Sequence, residues 1–157
     1  MKSITKNAGS TVLGINAYHG DSAACLVVDG KLVAAIEEER IRRIKHWAGF
    51  PSEAIKFCLD SAGVKLSQVD HVAIGRNPSA HLHKKVLFAL QKRPSFAVDP
   101  GTTKARFHNV EHHQAHMASS FFLSPFDKAD CLTIDGFGDF VSTMFGKGEG
   151  NHIDVSH

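Results

Sequence analysis

Residues 11–36 read TVLGINAYHGDSAACLVVDGKLVAAI, and this stretch decides the fold class. Its apolar runs predict three strands, over Thr11 to Ala17, Ala23 to Val28 and Lys31 to Ile36. Asp29-Gly30 separates the last two runs by two residues, a pattern typical of a tight β-hairpin. We therefore expect an antiparallel meander, preceded by a flexible polar N-terminus over residues 1–10.

Helical and extended patterns alternate after the meander. Apolar residues at three- and four-residue spacing follow Ser52 and predict a helix that Ser52 caps and Gly63 ends. Two more helices are predicted, over Ala80 to Gln91 and His112 to Leu123. Further strands are predicted over His71 to Gly75, Arg106 to Val110, Ala129 to Ile134, Ser142 to Gly146 and Asn151 to Val155. This order of strands and helices predicts an α/β fold.

Composition excludes several classes of function. The chain has 157 residues and a formal net charge of +2, too small to predict binding to nucleic acid or to an anionic membrane. No apolar run approaches the ~20 residues of a membrane-spanning helix. Cys25, Cys58 and Cys131 are odd in number and lie in apolar contexts. They predict buried thiols in a reducing compartment, so we expect a cytoplasmic protein.

His112 and His116 are four residues apart in the predicted helix, so both imidazoles lie on one helix face. Asp135, at the end of the next strand, is the best candidate for a third ligand. Two histidines and a carboxylate suit iron(II), zinc or manganese. The alternative is a pair of ordinary surface or core histidines, which is the commoner meaning of this spacing alone. His113 is about 100° around the helix and is not required as a ligand.

Three other segments offer polar chemistry, each with a plainer alternative. The turn Asp135-Gly136-Phe137-Gly138-Asp139 is either a phosphate-binding loop or a simple tight turn. Residues 14–22 form either a substrate-facing loop or a polar connection between strands. The charged run Glu37 to Lys45 predicts a solvated face. Lys45, close to Trp47, is a cation near an aromatic ring that suits an anionic or planar ligand.

Three long motifs together resemble the N-terminal region of the NodU/CmcH-type O-carbamoyltransferases. They are GINAYHGDSAACLVVDGKLVAAIEEERIRRIKHWAGFP, VEHHQAHMASSFF and LTIDGFGDFVSTMFG. The resemblance extends from about Thr11 to Asn151. It implies a Kae1-like domain, similar to the tRNA threonylcarbamoyladenosine synthase subunit, with a duplicated actin/hexokinase-type fold. Residues 11–157 are then expected to be its first, ribonuclease-H-like lobe, an α/β lobe with a mixed five-stranded sheet and helices on both faces. The remaining lobe and a YrdC-like domain are expected beyond this chain.

The resemblance also implies a two-step reaction. Carbamoyl phosphate and ATP form carbamoyl-adenylate, and the carbamoyl group then passes to a hydroxyl of a sugar or natural product with the help of bound iron. The implied metal ligands are His112, His116 and Asp135. The remaining implied site residues are His19 near the reacting groups, Lys45 near the adenylate, and Gly136 and Gly138 in the phosphate-side loop. This chain has His-Gly-Asp where many relatives have His-Asp, and alone it is expected to bind metal weakly and to be inactive.

Two alternatives remain at the level of sequence. One is a related protein of hydrogenase maturation or tRNA threonylcarbamoylation, although the segment KHWAGFP and the loop IDGFGD favour the antibiotic and nodulation type. The other is a non-catalytic lobe that binds a nucleotide or a partner protein.

Overall fold

The computed structural model describes residues 9–18, 20–75, 104–138 and 141–156. The predicted helix over Ala80 to Gln91 therefore lies outside the described residues, as does His19. The described residues form two compact units. The first contains residues 9–18, 20–74 and 104–108, and the second contains residues 75, 109–138 and 141–156.

The first unit is built on a five-stranded mixed sheet. Its strands are β1 (Thr11–Asn16), β2 (Ala23–Val28), β3 (Lys31–Glu37), β4 (His71–Ile74) and β5 (Arg106–Asn109). Their order is β3-β2-β1-β4-β5. Strand β1 pairs antiparallel with β2, which pairs antiparallel with β3, whereas β4 runs parallel to β1. An antiparallel meander followed by a parallel strand is the arrangement of a ribonuclease-H-like lobe, so the predicted fold class is confirmed.

The turn between β2 and β3 forms where the sequence predicts it. Asp29 and Gly30 both have positive φ, at 53° and 77°. Two successive left-handed residues define the type I′ turn, whose twist matches that of the strands it joins.

A helix covers the meander and completes the core of the first unit. Helices α1 (Glu38–Arg42) and α2 (Ser52–Ala62) follow β3, and α2 packs against β2 and β3. Ile55 and Cys58 of α2 are buried with Leu13 and Leu26 of the sheet. Gly63 ends α2 in the left-handed conformation with φ of 63°, as predicted. A short 3₁₀ turn, Leu66–Gln68, leads into β4.

The second unit is a helix on a three-stranded antiparallel sheet. Its elements are α3 (His112–Phe121), β6 (Lys128–Gly138), β7 (Val141–Glu149) and β8 (His152–Ser156). The sheet order is β6-β7-β8. Met117 and Phe121 of α3 are buried against this sheet. The glycines of β7 permit the contact: a Cβ at Gly146 would lie 3.0 Å from Met117 Sδ, and one at Gly148 would lie 2.7 Å from the Phe121 ring.

Three local predictions are wrong. Ser52 is the first helical residue rather than the cap, because Pro51 occupies the N-cap. The strand predicted to be buried over Ala129 to Ile134 is buried on one face only, and Ile134 is 76% exposed. The charged run is not uniformly solvated, because Glu38 is fully buried. No helix among the residues described is long and apolar enough to cross a membrane.

Candidate metal centre

Side chains of β6 alternate between the two faces of its sheet, and this places Asp135 on the face that the start of α3 covers. Cys131 and Thr133 are buried, whereas Leu132 and Ile134 are exposed. Successive side chains of a strand point to opposite faces. Asp135 therefore follows Thr133 on the face that α3 covers.

His113 fixes the first turn of α3 to the sheet. Its side chain is fully buried, with Nδ1 2.7 Å from Thr133 Oγ1 and Nε2 2.8 Å from the Val141 carbonyl oxygen. A carbonyl only accepts, so Nε2 carries the proton and Nδ1 accepts from the threonine hydroxyl. Both ring nitrogens are thus occupied, and His113 is a structural histidine rather than a ligand. The N-terminus of α3 is also capped, because Glu111 Oε2 accepts from the Gln114 N–H at 2.7 Å.

Three ligand atoms converge next to this anchor. His112 Nε2 lies 2.5 Å from Asp135 Oδ2 and 3.0 Å from His116 Nε2. His116 Nε2 lies 3.6 Å from the same carboxylate oxygen. The helix places the two imidazoles one turn apart, and β6 supplies the third atom. The structure therefore brings together all three residues that the sequence singled out as metal ligands.

The spacing of these atoms fits a shared cation. Two donors about 2.1 Å from one ion, at tetrahedral or octahedral angles, are about 3.0–3.4 Å apart. The observed separations of 2.5, 3.0 and 3.6 Å bracket that range. A ring nitrogen has only one position in its plane for a proton or a lone pair. His112 Nε2 cannot satisfy both Asp135 and His116 by hydrogen bonding, but one ion bound to all three atoms satisfies the whole set.

The carboxylate is held ready in its ionised form. The hydrogen bond with His112, aided by the Gly136 backbone N–H at 2.6 Å from Oδ1, lowers the pKa of Asp135 to about 2. A metal ligand must be deprotonated, so Asp135 needs to lose no proton on binding near neutral pH. Asp135 and His116 remain partly open to solvent. Two imidazoles and one carboxylate with an open side are donors that suit iron(II), zinc or manganese.

The predicted glycine-rich turn has a different structure. Strand β6 continues through Asp135 to Gly138, with a shift in its pairing to β7 between Ile134 and Gly138. The Gly136 backbone N–H donates to Asp135 Oδ1. Gly138 pairs with Val141. The phosphate role of these glycines stays a prediction, and Asp139 lies outside the described residues.

The other predicted site residues belong to the first unit. Lys45 is exposed in the segment between α1 and α2. The cation that stacks on the Trp47 ring is Arg42, 4.6 Å from the ring centroid. Trp47 thus has an internal partner, and the role of Lys45 toward an anionic or planar ligand stays a prediction. Sequence inspection missed this contact and the buried Glu38, although a Glu four residues before an Arg in a helix was an available signal.

Comparison with known proteins places the chain in a family. The sequence profile of the carbamoyltransferase N-terminus family matches residues 11–86 and 79–156. The chain therefore belongs to the carbamoyltransferase N-terminus family. It is 37% identical to the uncharacterized protein sll1178 of Synechocystis sp., over 90% of this chain and 28% of that protein. It is 36% identical to the nodulation protein NolNO of Sinorhizobium fredii, over 88% of this chain and 22% of that protein.

A solved structure also aligns with the chain. YeaZ from Pseudomonas aeruginosa matches with a TM-score of 0.49 and 18% identity, over 94% of this chain and 64% of that one. The chain spans only about a quarter of the length of the curated relatives named above.

Proposed function

We propose that this chain is the N-terminal part of an ATP- and metal-dependent O-carbamoyltransferase. The observation that carries the proposal is the convergence of His112, His116 and Asp135 within a chain of the carbamoyltransferase family. Carbamoyl phosphate and ATP are the proposed substrates, carbamoyl-adenylate is the intermediate, and a hydroxyl of a small molecule is the acceptor. Iron(II) is the first metal to test, because the resemblance implies iron and the donor set accepts it.

The transfer step has a simple balance of bonds. The acceptor oxygen attacks the carbonyl carbon of the carbamoyl-adenylate, a new C–O bond forms, and the bond from that carbon to the AMP oxygen breaks. AMP leaves with the electron pair, and the hydroxyl proton passes to a base. His19 is the proposed base, and its position lies outside the described residues. A bound cation supplies charge stabilisation for an anionic oxygen.

In this proposal, His113, Asp135 and Lys45 each have a distinct role. His113 holds α3 on β6 and β7, which fixes where His112 and His116 point. The depressed pKa of Asp135 keeps its carboxylate charged at neutral pH. Lys45 contributes a solvent-exposed positive charge for the adenylate phosphate.

Two features favour a small-molecule acceptor over tRNA. The formal net charge of +2 provides little of the positive charge that a nucleic-acid surface uses. One relative is named a nodulation protein. A requirement for tRNA in the transfer assay would reverse the choice.

The metal site is tested by titrating iron(II) anaerobically into the metal-free chain and into the double variant His112→Ala/His116→Ala. We expect one equivalent to bind to the wild type and none to bind specifically to the variant. The matched control is His152→Ala, which removes an exposed histidine that also contacts a carboxylate, Asp154, at 2.9 Å. Equal binding by the wild type and the double variant would show that this helix holds no metal.

The reaction is tested on the protein encoded by the whole open reading frame. Pyrophosphate release from ATP should depend on carbamoyl phosphate, and the carbamoyl group should appear on an added hydroxyl acceptor. Asp135→Asn retains the size of the side chain and removes its charge, so it should abolish transfer. If Asp135→Asn transfers the carbamoyl group as fast as the wild type, the proposed metal centre does not carry the activity. If the wild-type protein binds metal and ATP but releases no pyrophosphate, the alternative of a non-catalytic binding protein is supported.

A further inference from the structure

A buried carboxylate lies behind the segment that carries Lys45. Glu38 is 0% exposed, and its carboxylate accepts hydrogen bonds from the backbone N–H of Ala54 at 2.7 Å and of Glu53 at 3.2 Å. Among the residues that the structure describes, its other partner is Arg42, whose Nε lies 2.5 Å from Oε1. A buried charge is costly unless it is paired, so Glu38 ties together the ends of α1 and α2.

Arg42 extends this contact to the segment between the two helices. Its guanidinium donates to Ser52 Oγ at 2.9 Å and stacks on the Trp47 ring. The Trp47 carbonyl accepts from the Ser22 N–H at 3.0 Å. The indole also packs on Gly49, where a Cβ would lie 2.8 Å from ring atoms. The charge on Glu38 is thus linked through Arg42 to the position of Trp47.

The other side of the segment is held at its surface. His46 Nδ1 lies 2.9 Å from Asp21 Oδ1, and the His46 N–H donates to Glu39 Oε2 at 3.0 Å. Arg43 and His46 have positive φ, of 59° and 53°, a conformation that non-glycine residues adopt at a cost. Lys45 lies between these two residues, is exposed, and forms no ion pair with any residue that the structure describes.

We infer that Glu38 is a positioning residue, which acts through Arg42 and Trp47 to present the Lys45 ammonium to an anionic nucleotide. The inference rests on the proposed role of Lys45 at the adenylate. A cation that is already held in its binding position loses less conformational freedom when the ligand arrives. Without the charge of Glu38, Arg42 loses its buried partner, Trp47 loses its stacked cation, and the segment samples other positions.

The test uses Trp47, the only tryptophan of the chain, as its probe. ATP binding is measured by calorimetry on the protein encoded by the whole open reading frame, and tryptophan emission with its quenching by acrylamide is recorded on the 157-residue chain. We expect Glu38→Gln to weaken ATP binding about tenfold, as it does when the competent arrangement falls to about a tenth of the population. We also expect acrylamide quenching of Trp47 to rise in the absence of ATP.

Glu53→Gln is the matched control. Glu53 is an exposed carboxylate 3.9 Å from Arg42, so the same chemical change should leave ATP binding and quenching as in the wild type. Arg42→Lys is the second variant, because it keeps a positive charge beside Glu38 but cannot stack as a plane on Trp47. Arg42→Lys should also weaken ATP binding. If circular dichroism shows that Glu38→Gln does not fold, the result for Arg42→Lys tests the positioning role instead.

Lys45→Ala separates the two levels of the proposal. If the wild type does not bind ATP, or if Lys45→Ala binds it as tightly as the wild type, the adenylate role of Lys45 is wrong and the inference falls with it. If Lys45→Ala weakens binding while folded Glu38→Gln and Arg42→Lys bind like the wild type, the positioning role alone is overturned. Weakened binding in all three variants, with Glu53→Gln unaffected, supports it.

Discussion

Replacing His113 with alanine should loosen the second unit far more than the same change at His116. Both residues are histidines in α3, so both substitutions gain the same helix propensity. They differ in burial, because His113 is 0% exposed and the His116 side chain is 52% exposed. The pair therefore compares a buried, hydrogen-bonded histidine with a half-exposed histidine of the same helix.

The expected magnitude follows from what alanine leaves behind. Thr133 Oγ1 is buried, and losing its partner costs about 1–3 kcal/mol, whereas the part-buried Val141 carbonyl oxygen can be hydrated and costs less. The space left by the ring adds a further cost because the neighbours collapse only in part. The sum is about 3–5 kcal/mol for His113→Ala, against about 0.5 kcal/mol or less for His116→Ala.

Amide hydrogen exchange followed by mass spectrometry reports the stability of each segment separately. A local measurement is needed because the chain has two units, and a global unfolding curve need not be two-state. With metal removed by chelation, peptides from β6 and β7 of His113→Ala should exchange about 100-fold faster than those of the wild type, the effect of roughly 3 kcal/mol. Peptides from α2 should be unchanged. If β6 and β7 exchange no faster in His113→Ala than in His116→Ala, the anchoring role of His113 is refuted.

Two further outcomes are expected. Gly148→Ala places a Cβ 2.7 Å from the Phe121 ring, so amide hydrogen exchange should become faster across α3 and β6–β8. The control Gly150→Asn changes a left-handed turn residue that is open to solvent, and exchange should stay as in the wild type. Burial raises the pKa of the Cys58 thiol to about 11, so native protein at pH 8 should leave this thiol unmodified by an aromatic disulfide reagent. Because the folded state holds this proton more tightly than the unfolded chain, the contribution of Cys58 to stability is full below the ordinary thiol pKa and falls as the pH rises toward 11. Rapid labelling of Cys58 at pH 8 would contradict the burial, and a urea midpoint that rises between the ordinary thiol pKa and pH 11 would contradict the linkage.

Local patterns predicted most of the secondary structure. Strand β2 spans Ala23–Val28 as expected, and the turn that follows it has the two left-handed residues that Asp29-Gly30 favours. Gly63 ends α2 for the same kind of reason. These features depend on residues that are adjacent in the chain, so the information is present in a short window.

Features that depend on distant partners were missed. The first turn of α2 is capped by the carboxylate of Glu38, 16 residues before Ala54, rather than by the adjacent Ser52 side chain. Strand β6 continues into the predicted glycine-rich turn because pairing with β7 extends to Gly138. No short window around Ser52 contains Glu38. Val141, the partner of Gly138, is only three residues along the chain, and it was missed because the glycines indicated a turn rather than a continuing strand.

In the candidate metal centre, too, some features follow from the local sequence and others from tertiary contacts. The four-residue spacing alone places His112 and His116 on one face, because the geometry of an α-helix is local. Their convergence with Asp135 requires α3 to lie close to the sheet, which the absence of side chains at Gly146 and Gly148 permits and the His113 hydrogen bonds hold in place. Those contacts join residues more than 15 positions apart, and such pairings form only when the chain packs, since local geometry does not specify which helix face meets which strand.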